Sequence, residues 1–423
     1  MQNFIHKFKL ILGDKSLRNK ILFVLFAFLV FRAVASIPIP GIDTVRLASL
    51  LEGNQFLGFL NIFSGGGLSS LSIIMLGVSP YITGSIVMQL LTVMVPKLKA
   101  LYHEEGEVGR KKFTQYSRLL TVPLAALQGY ALLMLLQRQG VISFTGGFDL
   151  FYNIILVVAG SIFLMWLGEL ISEFGIGNGV SMIIFGGIVA SLPGTIGQLA
   201  YTFDPSLIPM YLGFVVAGIL MIALIVTVNE AERAIPVTYA KVIRGGKTHG
   251  GVSTFIPLKL NQAGVMPIIF ALSILLFPQL IGNFLAGAGN ATLLSISSAL
   301  IAFSQSTVLY SVVYFVLVFL FTYFYTAVTF DPKALSENLQ KSGAFIPGIR
   351  PGLSTEEYVG KIVGRITFIG ASFLGLVAVL PLVVRELTGI QAIALGGTAL
   401  LIVVNVVIDL LKKVDAQIAM REY

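Results

Sequence analysis

Ten runs of about twenty mostly apolar residues dominate this chain, and no other feature restricts its fold as strongly. A helix needs about 20 such residues to cross the hydrocarbon core of a bilayer. The runs cover 20–37, 76–96, 119–137, 152–173, 181–197, 209–229, 264–284, 307–330, 366–384 and 394–412. The fifth is short and glycine-rich. Only 11% of the 423 residues are charged, against about 25% in a soluble domain. The chain therefore uses lipid as its solvent, and the expected fold is an all-α polytopic membrane protein with ten transmembrane helices.

The basic residues test that count independently, because short cytosolic loops retain Lys and Arg. Lys7, Lys9, Lys15, Arg18 and Lys20 precede the first span, and Lys97, Lys99, Arg110, Lys111, Lys112 and Arg118 follow the second. Arg233, Lys241, Arg244, Lys247 and Lys259 follow the sixth; Lys333, Lys341, Arg350, Lys361 and Arg365 follow the eighth; Lys412, Lys413 and Arg421 follow the tenth. Only four of the 28 basic residues escape this pattern: Arg46, Arg138 and Arg385 on the opposite side, and Arg32 at the end of the first span. Ten spans with both termini in the cytosol fit, and the net charge of +8 is mostly topology. Basic residues, an apolar run and then Ala33-Val34-Ala35 also have the order of a cleaved signal peptide. The head of about 20 residues and Arg32 directly before the site argue for a retained first span. Phe4, Ile5 and Phe8 beside Lys7 and Lys9 suit an amphipathic head (1–19) on the anionic membrane surface.

Ten spans divide into a first half (20–197) and a second half (209–412), joined by an external hinge at 198–208 and followed by a tail at 413–423. Five spans per half force the halves into opposite orientation, an arrangement many transport folds use with the pathway at the repeat interface. Two cytosolic connections are long. In 230–263, the β-prone runs VTYAKV and VSTFI flank IRGGKTHGG and predict a hairpin with Arg244 and Lys247 at its tip. In 331–365, KSGAFIPGIRPG predicts a tight, helix-free path around Arg350. From composition alone both are solvated loops.

Enzymatic constellations are missing: there is no phosphate loop, zinc pair or nucleophile elbow. With no cysteine, no disulfide or thiolate site is possible. His6, His103 and His249 lack metal-ligand spacing. FGIGNGVS at 174–181 follows a membrane span rather than a strand, so it reads as a cytosolic turn and not a dinucleotide site. Glu169, Glu173, Glu230, Glu232 and Asp409 sit toward span ends, and no acid is firmly mid-membrane. That disfavours an ion-coupled carrier, whose coupling groups lie deep in the membrane. No cofactor or metal is expected, and the chain is expected not to be an enzyme.

Several long blocks carry a family resemblance: FRAVASIPIPGID (31–43), NIFSGGGLSSLSIIMLGVSPYI (61–82), EGEVGRKKFTQYSR (105–118), MWLGELISEFGIGNGVSMIIFGGIVASLP (165–193), LKLNQAGVMPIIFA (258–271), KSGAFIPGIRPG (341–352) and GGTALLIVVNVVIDL (396–410). In this order they resemble the SecY family, the channel subunits of the bacterial protein-export translocase. The resemblance implies two inverted five-helix halves around a central pore that passes unfolded secretory polypeptides and releases apolar segments sideways into the bilayer. It implies a pore ring of Val78, Ile82, Ile184, Ile188, Ile269 and Ile402. Val78 stands where relatives often carry isoleucine. It implies a short plug helix at 61–73, including Asn61, Phe63, Ser64, Gly65, Gly66, Gly67, Leu68 and Leu71. In that reading Leu68, Leu71 and Ile73 face the constriction, and Ser64, Ser69, Ser70 and Ser72 face water. A sideways exit of weakly held helices would involve Pro80, Thr83, Gly84, Gln128, Asn261 and Pro267. Arg244, Lys247 and Arg350 would dock the ribosome, through RNA phosphates, or the motor SecA. The small membrane subunits SecE and SecG are further implied partners, in the bacterial cytoplasmic membrane. The chain ends soon after the last span, which puts in doubt any docking role for a basic tail. The runner-up reading is a secondary transporter of a small solute, and a membrane scaffold subunit is the third.

Overall fold

The computed structural model describes residues 13–40, 46–47, 57–58, 60–61, 64–103, 105–143, 146–201, 205, 208–239, 242–244, 247–249, 253–286, 290–388 and 391–419. Phe63 of the plug set and the amphipathic head up to residue 12 lie outside them. Every one of the ten apolar runs is helical. They form α1 (Lys15–Ala35), α2 (Ser79–Met94), α4 (Gly106–Arg138), α5 (Gly147–Phe174), α6 (Gly179–Tyr201) and α7 (Ile208–Glu230). The remaining four are α8 (Met266–Leu285), α10 (Thr307–Thr329), α12 (Leu353–Thr388) and α13 (Gln391–Ala419). Among the described residues six helices are by themselves long and apolar enough to cross a membrane. A seventh is added if α2 is counted with the helix after it, from which it is bent by 113°. That following helix, α3 (Pro96–His103), together with α9 (Ala291–Gln305) and α11 (Pro332–Lys341), lies outside the ten apolar runs.

Local chemistry sets the ends. Asp14 caps α1 by accepting from Ser16 N at 2.9 Å, and Asp331 accepts from Lys333 N and Ala334 N ahead of Pro332. Pro80 and Pro267 stand in the first turns of α2 and α8, where the missing N–H breaks no helical bond. They start these helices rather than loosen them. The prolines that do interrupt helices are Pro123, Pro193, Pro278 and Pro381. Large apolar side chains such as Leu29, Phe148, Trp166, Leu220 and Leu376 stay more than half exposed, as befits a surface solvated by acyl chains.

The chain forms two compact units. The first comprises Met1–Phe214, Leu272–Tyr310 and Pro381–Tyr423. In it α4 packs on α2 and α5, α5 on α6, α1 on α5 and α6, and α13 on α6. Small residues make the close approaches, as lipid-embedded helices require. A Cβ on Gly179 would collide with the Gly168 carbonyl, and one on Gly84 would sit 3.1 Å from the Ser117 carbonyl. Gly179→Ala is accordingly expected to destabilise the α5–α6 joint by about 1–3 kcal/mol, read as a lower unfolding midpoint in detergent. An unchanged midpoint would show that the joint relaxes freely.

The second unit comprises Val215–Ala271 and Ser311–Leu380. Beside its helices it carries an antiparallel sheet, ordered β4-β1-β5, of β1 (Glu232–Tyr239), β4 (Ser253–Lys259) and β5 (Ala344–Phe345). A second ribbon, β2 (Val242–Arg244) with β3 (Lys247–His249), extends the hairpin. The predicted hairpin is thus present, and the loop around Arg350 joins it through β5. Ile235, Val237 and Leu258 on the sheet's inner face share one core with Leu339 of α11 and with Val359, Ile362 and Val363 of α12. The alternation of buried and exposed positions along β1 is what one covered face dictates. These units do not coincide with the halves at 20–197 and 209–412, because most of α8, all of α9 and α13, the start of α10 and the end of α12 belong to the first unit.

Candidate functional site

The glycine-broken stretch is the most irregular part of the first unit. Leu57, Gly58, Leu60 and Asn61 are helical, and residues 64–78 are almost entirely turns. Regular helix is therefore confined to the lead-in. Gly65 and Gly66 take φ of 63° and 86°, values open to glycine without a Cβ penalty. Leu71 takes φ 42°, a conformation uncommon for a side-chain-bearing residue. The turns close on themselves: Gly66 N donates to Asn61 O at 2.9 Å and Ser72 N to Gly67 O at 2.8 Å. Asn61 Oδ1 accepts from Ser69 N at 2.9 Å, and Ser64 Oγ accepts from Leu68 N at 3.0 Å.

This stretch is clasped by α1 and by the extended residues 37–39. Ile39 N donates to Leu71 O at 2.8 Å and Ile73 N to Ile37 O at 3.1 Å. Ser70 Oγ donates to Ala35 O at 2.9 Å. On its other side the backbone of Gly65 lies directly against Gly187 of α6, so close that a Cβ on Gly187 would overlap it. Gly160 of α5 meets the Ile73 carbonyl in the same way. Leu68 and Leu71 are fully buried. Ser69 and Ser70 are exposed, but Ser64 and Ser72 are fully buried, contrary to the expectation that all four serines face water. Their hydroxyls are satisfied locally: Ser64 Oγ donates to Asn61 O at 3.0 Å, and Ser72 Oγ accepts from Ile74 N at 3.3 Å.

The six aliphatic residues are all buried, with Val78 and Ile184 fully enclosed. Val78 and Ile82 open α2 directly after the turns; Ile184 and Ile188 flank Gly187 on α6; Ile402 lies on α13, which packs on α6. Ile269 belongs to the second unit. Saturated side chains offer a sliding polypeptide no fixed hydrogen bond. They also leave an ion without partners, at a cost on the order of tens of kcal/mol in the Born limit.

Of the polar residues assigned to the exit, Thr83 is buried with no partner for its hydroxyl, and Gln128 is buried on α4. Asn261 is buried in the second unit, where its Nδ2 donates to Asn229 Oδ1 at 2.7 Å and to Gly264 O at 3.2 Å. Gly84 is not a weak point, because it seats α2 against Ser117 and Thr121 of α4. Sequence reasoning missed an ion pair tying α4 to α5, Arg118 Nε to Glu169 Oε1 at 2.6 Å. No spacing rule links positions 51 apart.

In the second unit Arg350 is exposed on a braced turn. Thr355 Oγ1 donates to Arg350 O at 2.9 Å, Ser336 Oγ donates to Gly352 O at 2.8 Å, and Gly348 and Gly352 take φ of 83° and 101°. Arg244 pairs in register with Lys247 at the end of the β2–β3 ribbon.

The SecY family profile matches residues 72–411. The protein translocase subunit SecY of Synechocystis sp. is 40% identical over 415 residues, covering 96% of this chain and 93% of the relative. That of Thermotoga maritima is 39% identical over 433 residues, covering 100% and 96%. Among solved structures, a protein-conducting channel matches with TM-score 0.67 at 18% identity. A SecY whose plug domain stabilises the closed state matches with TM-score 0.65 at 18% identity. The channel of the canine ribosome-channel complex from the endoplasmic reticulum matches with TM-score 0.62 at 17% identity. Each of these three alignments covers 96% of this chain and 93% of the other. A helical membrane scaffold with a clasped, glycine-turned stretch beside buried aliphatic residues, matched almost end to end by these relatives, is that of a translocase channel subunit: the chain belongs to the SecY family.

Proposed function

We propose that secretory polypeptides thread this chain through a constriction lined by Val78, Ile82, Ile184, Ile188, Ile269 and Ile402, with residues 61–73 as the stopper beside it. The observation that carries this reading is the seating of Gly65 on Gly187, between Ile184 and Ile188. Apolar segments leave sideways through an exit that involves Pro80, Thr83, Gly84, Gln128, Asn261 and Pro267. The buried Thr83 supports this: its hydroxyl has no partner, so an apolar segment that displaces its neighbours breaks no hydrogen bond there. Such a segment gains about 0.3–0.6 kcal/mol per Leu or Ile on reaching lipid.

Energy comes from partners. Arg350 and the Arg244/Lys247 ribbon are the docking elements for the motor SecA and for ribosomal RNA phosphates, which the arginine fork pairs bidentately. One structural relative is a channel seen with a ribosome. SecE and SecG complete the assembly in the bacterial cytoplasmic membrane, with both termini in the cytosol, as the basic loops require. The test is a photo-crosslinking probe at Ile402 in the presence of a stalled secretory chain. Adducts between probe and chain are expected. Their absence in an active preparation would remove the assignment of the constriction.

A further inference from the structure

Four basic residues lie outside the cytosolic clusters, and all four are arginines. Each is bonded to an oxygen on a distant segment. Arg32 Nη1, at the end of α1, donates to the Gly65 carbonyl at 3.3 Å. Arg46 Nη1 donates to the Gly140 carbonyl, just past α4, at 3.1 Å. Arg138 Nη1, in the last turn of α4, donates to the Asn283 carbonyl near the end of α8 at 3.2 Å. Arg385 Nη2, in the last turn of α12, donates to Thr307 Oγ1 at the start of α10 at 2.7 Å. All eight residues belong to the first unit.

A free surface charge has no need of such partners. Topology explains why basic residues are rare on this face, and the bonds explain what the exceptions do. A guanidinium carries several donors in a rigid fork, so one arm can hold a carbonyl while the others stay hydrated. Charge-assisted bonds of this kind are about twice as strong as neutral ones. Two of the four hold parts that a working channel must move. Gly65 belongs to the stopper. The joint of α4 and α8 closes the sideways exit, and there Tyr130 and Phe284 add an edge-to-face contact with centroids 5.9 Å apart.

We propose that the external arginines are latches of the closed channel, with Arg32 holding the stopper and Arg138 holding the exit. This rests on the channel reading above. The two latches predict separable phenotypes for the channel reconstituted with its partner subunits. Arg32→Gln is expected to raise the resting ion conductance about tenfold, with release of apolar segments into lipid unchanged. Arg138→Gln is expected to leave resting conductance near wild type and to speed release of a marginally apolar segment several-fold. Unfolding midpoints should stay close to wild type in both, which separates a latch from a purely structural bond.

The stopper deletion lacking residues 62–70 is the reference. If it leaks and Arg32→Gln does not, the Arg32 latch is overturned and the channel stands. If neither leaks, the stopper reading itself fails. The chain has no cysteine, so a Tyr130→Cys, Phe284→Cys pair is the sole target for a cleavable bifunctional thiol crosslinker. Crosslinking should block sideways release while a soluble chain is still exported, and cleavage should restore it. Undiminished release with the crosslink formed would overturn the Arg138 latch.

Discussion

A channel lacking residues 62–70 is expected to conduct ions at rest roughly ten times more than the intact one, while still exporting polypeptide. The deletion removes the Gly65 contact with Gly187 and the buried Leu68, so the outer approach to the aliphatic residues opens to water. A dry, unobstructed constriction is a barrier to ions only while it stays dry. Export survives because the deletion spares the pairing of Ile39 with Leu71 and of Ile37 with Ile73. Those bonds keep the start of α2, and with it Val78 and Ile82, anchored. Single-channel recording in planar bilayers reads the conductance, and protease protection of an exported chain reads the transport. An unchanged resting conductance would reduce this stretch to a linker.

Arg350→Glu is expected to lower motor-driven export by about tenfold or more, the scale on which reversal of a charge at a docking surface acts. The side chain is exposed, and the turn beneath it is held by Thr355, Ser336 and two left-handed glycines rather than by the guanidinium. Charge reversal therefore leaves the fold and the amount of protein in the membrane unchanged. Export in reconstituted vesicles, measured beside the unfolding midpoint, separates the two effects. Full export by the variant would place motor docking elsewhere.

The ten helices could be read from the chain because lipid makes one demand that soluble proteins do not, about 20 apolar residues in a row. The hairpin could be read as well, since β-branched runs on either side of Gly245-Gly246 leave few alternatives. The stretch at 61–73 was singled out by the family resemblance, its Gly65-Gly66-Gly67 run set among apolar residues. Other features had no local signal. Ser64 and Ser72 look water-facing by type, yet a hydroxyl that bonds its own chain a few residues away is buried at little cost. β5 has two residues, too few for any period to register, and its pairing with β1 spans about a hundred positions. Pro80 and Pro267 looked like weak points until their place in a first turn was known. The arginine tethers and the pair of Arg118 with Glu169 depend on three-dimensional proximity alone.

The three-stranded sheet has a mechanical consequence. β1 continues from the end of α7, β4 leads into α8, α11 follows α10, and β5 leads through the Arg350 turn into α12. The sheet, α11 and the adjoining ends of α7, α8, α10 and α12 lie in one compact unit, where the sheet and α12 share the core of Ile235, Val237, Leu258 and Val359. A load applied to the surface at Arg350 is therefore not absorbed by a slack tether. It passes through the sheet to the ends of four helices at once, α7, α8, α10 and α12, so those ends move with the sheet rather than one by one.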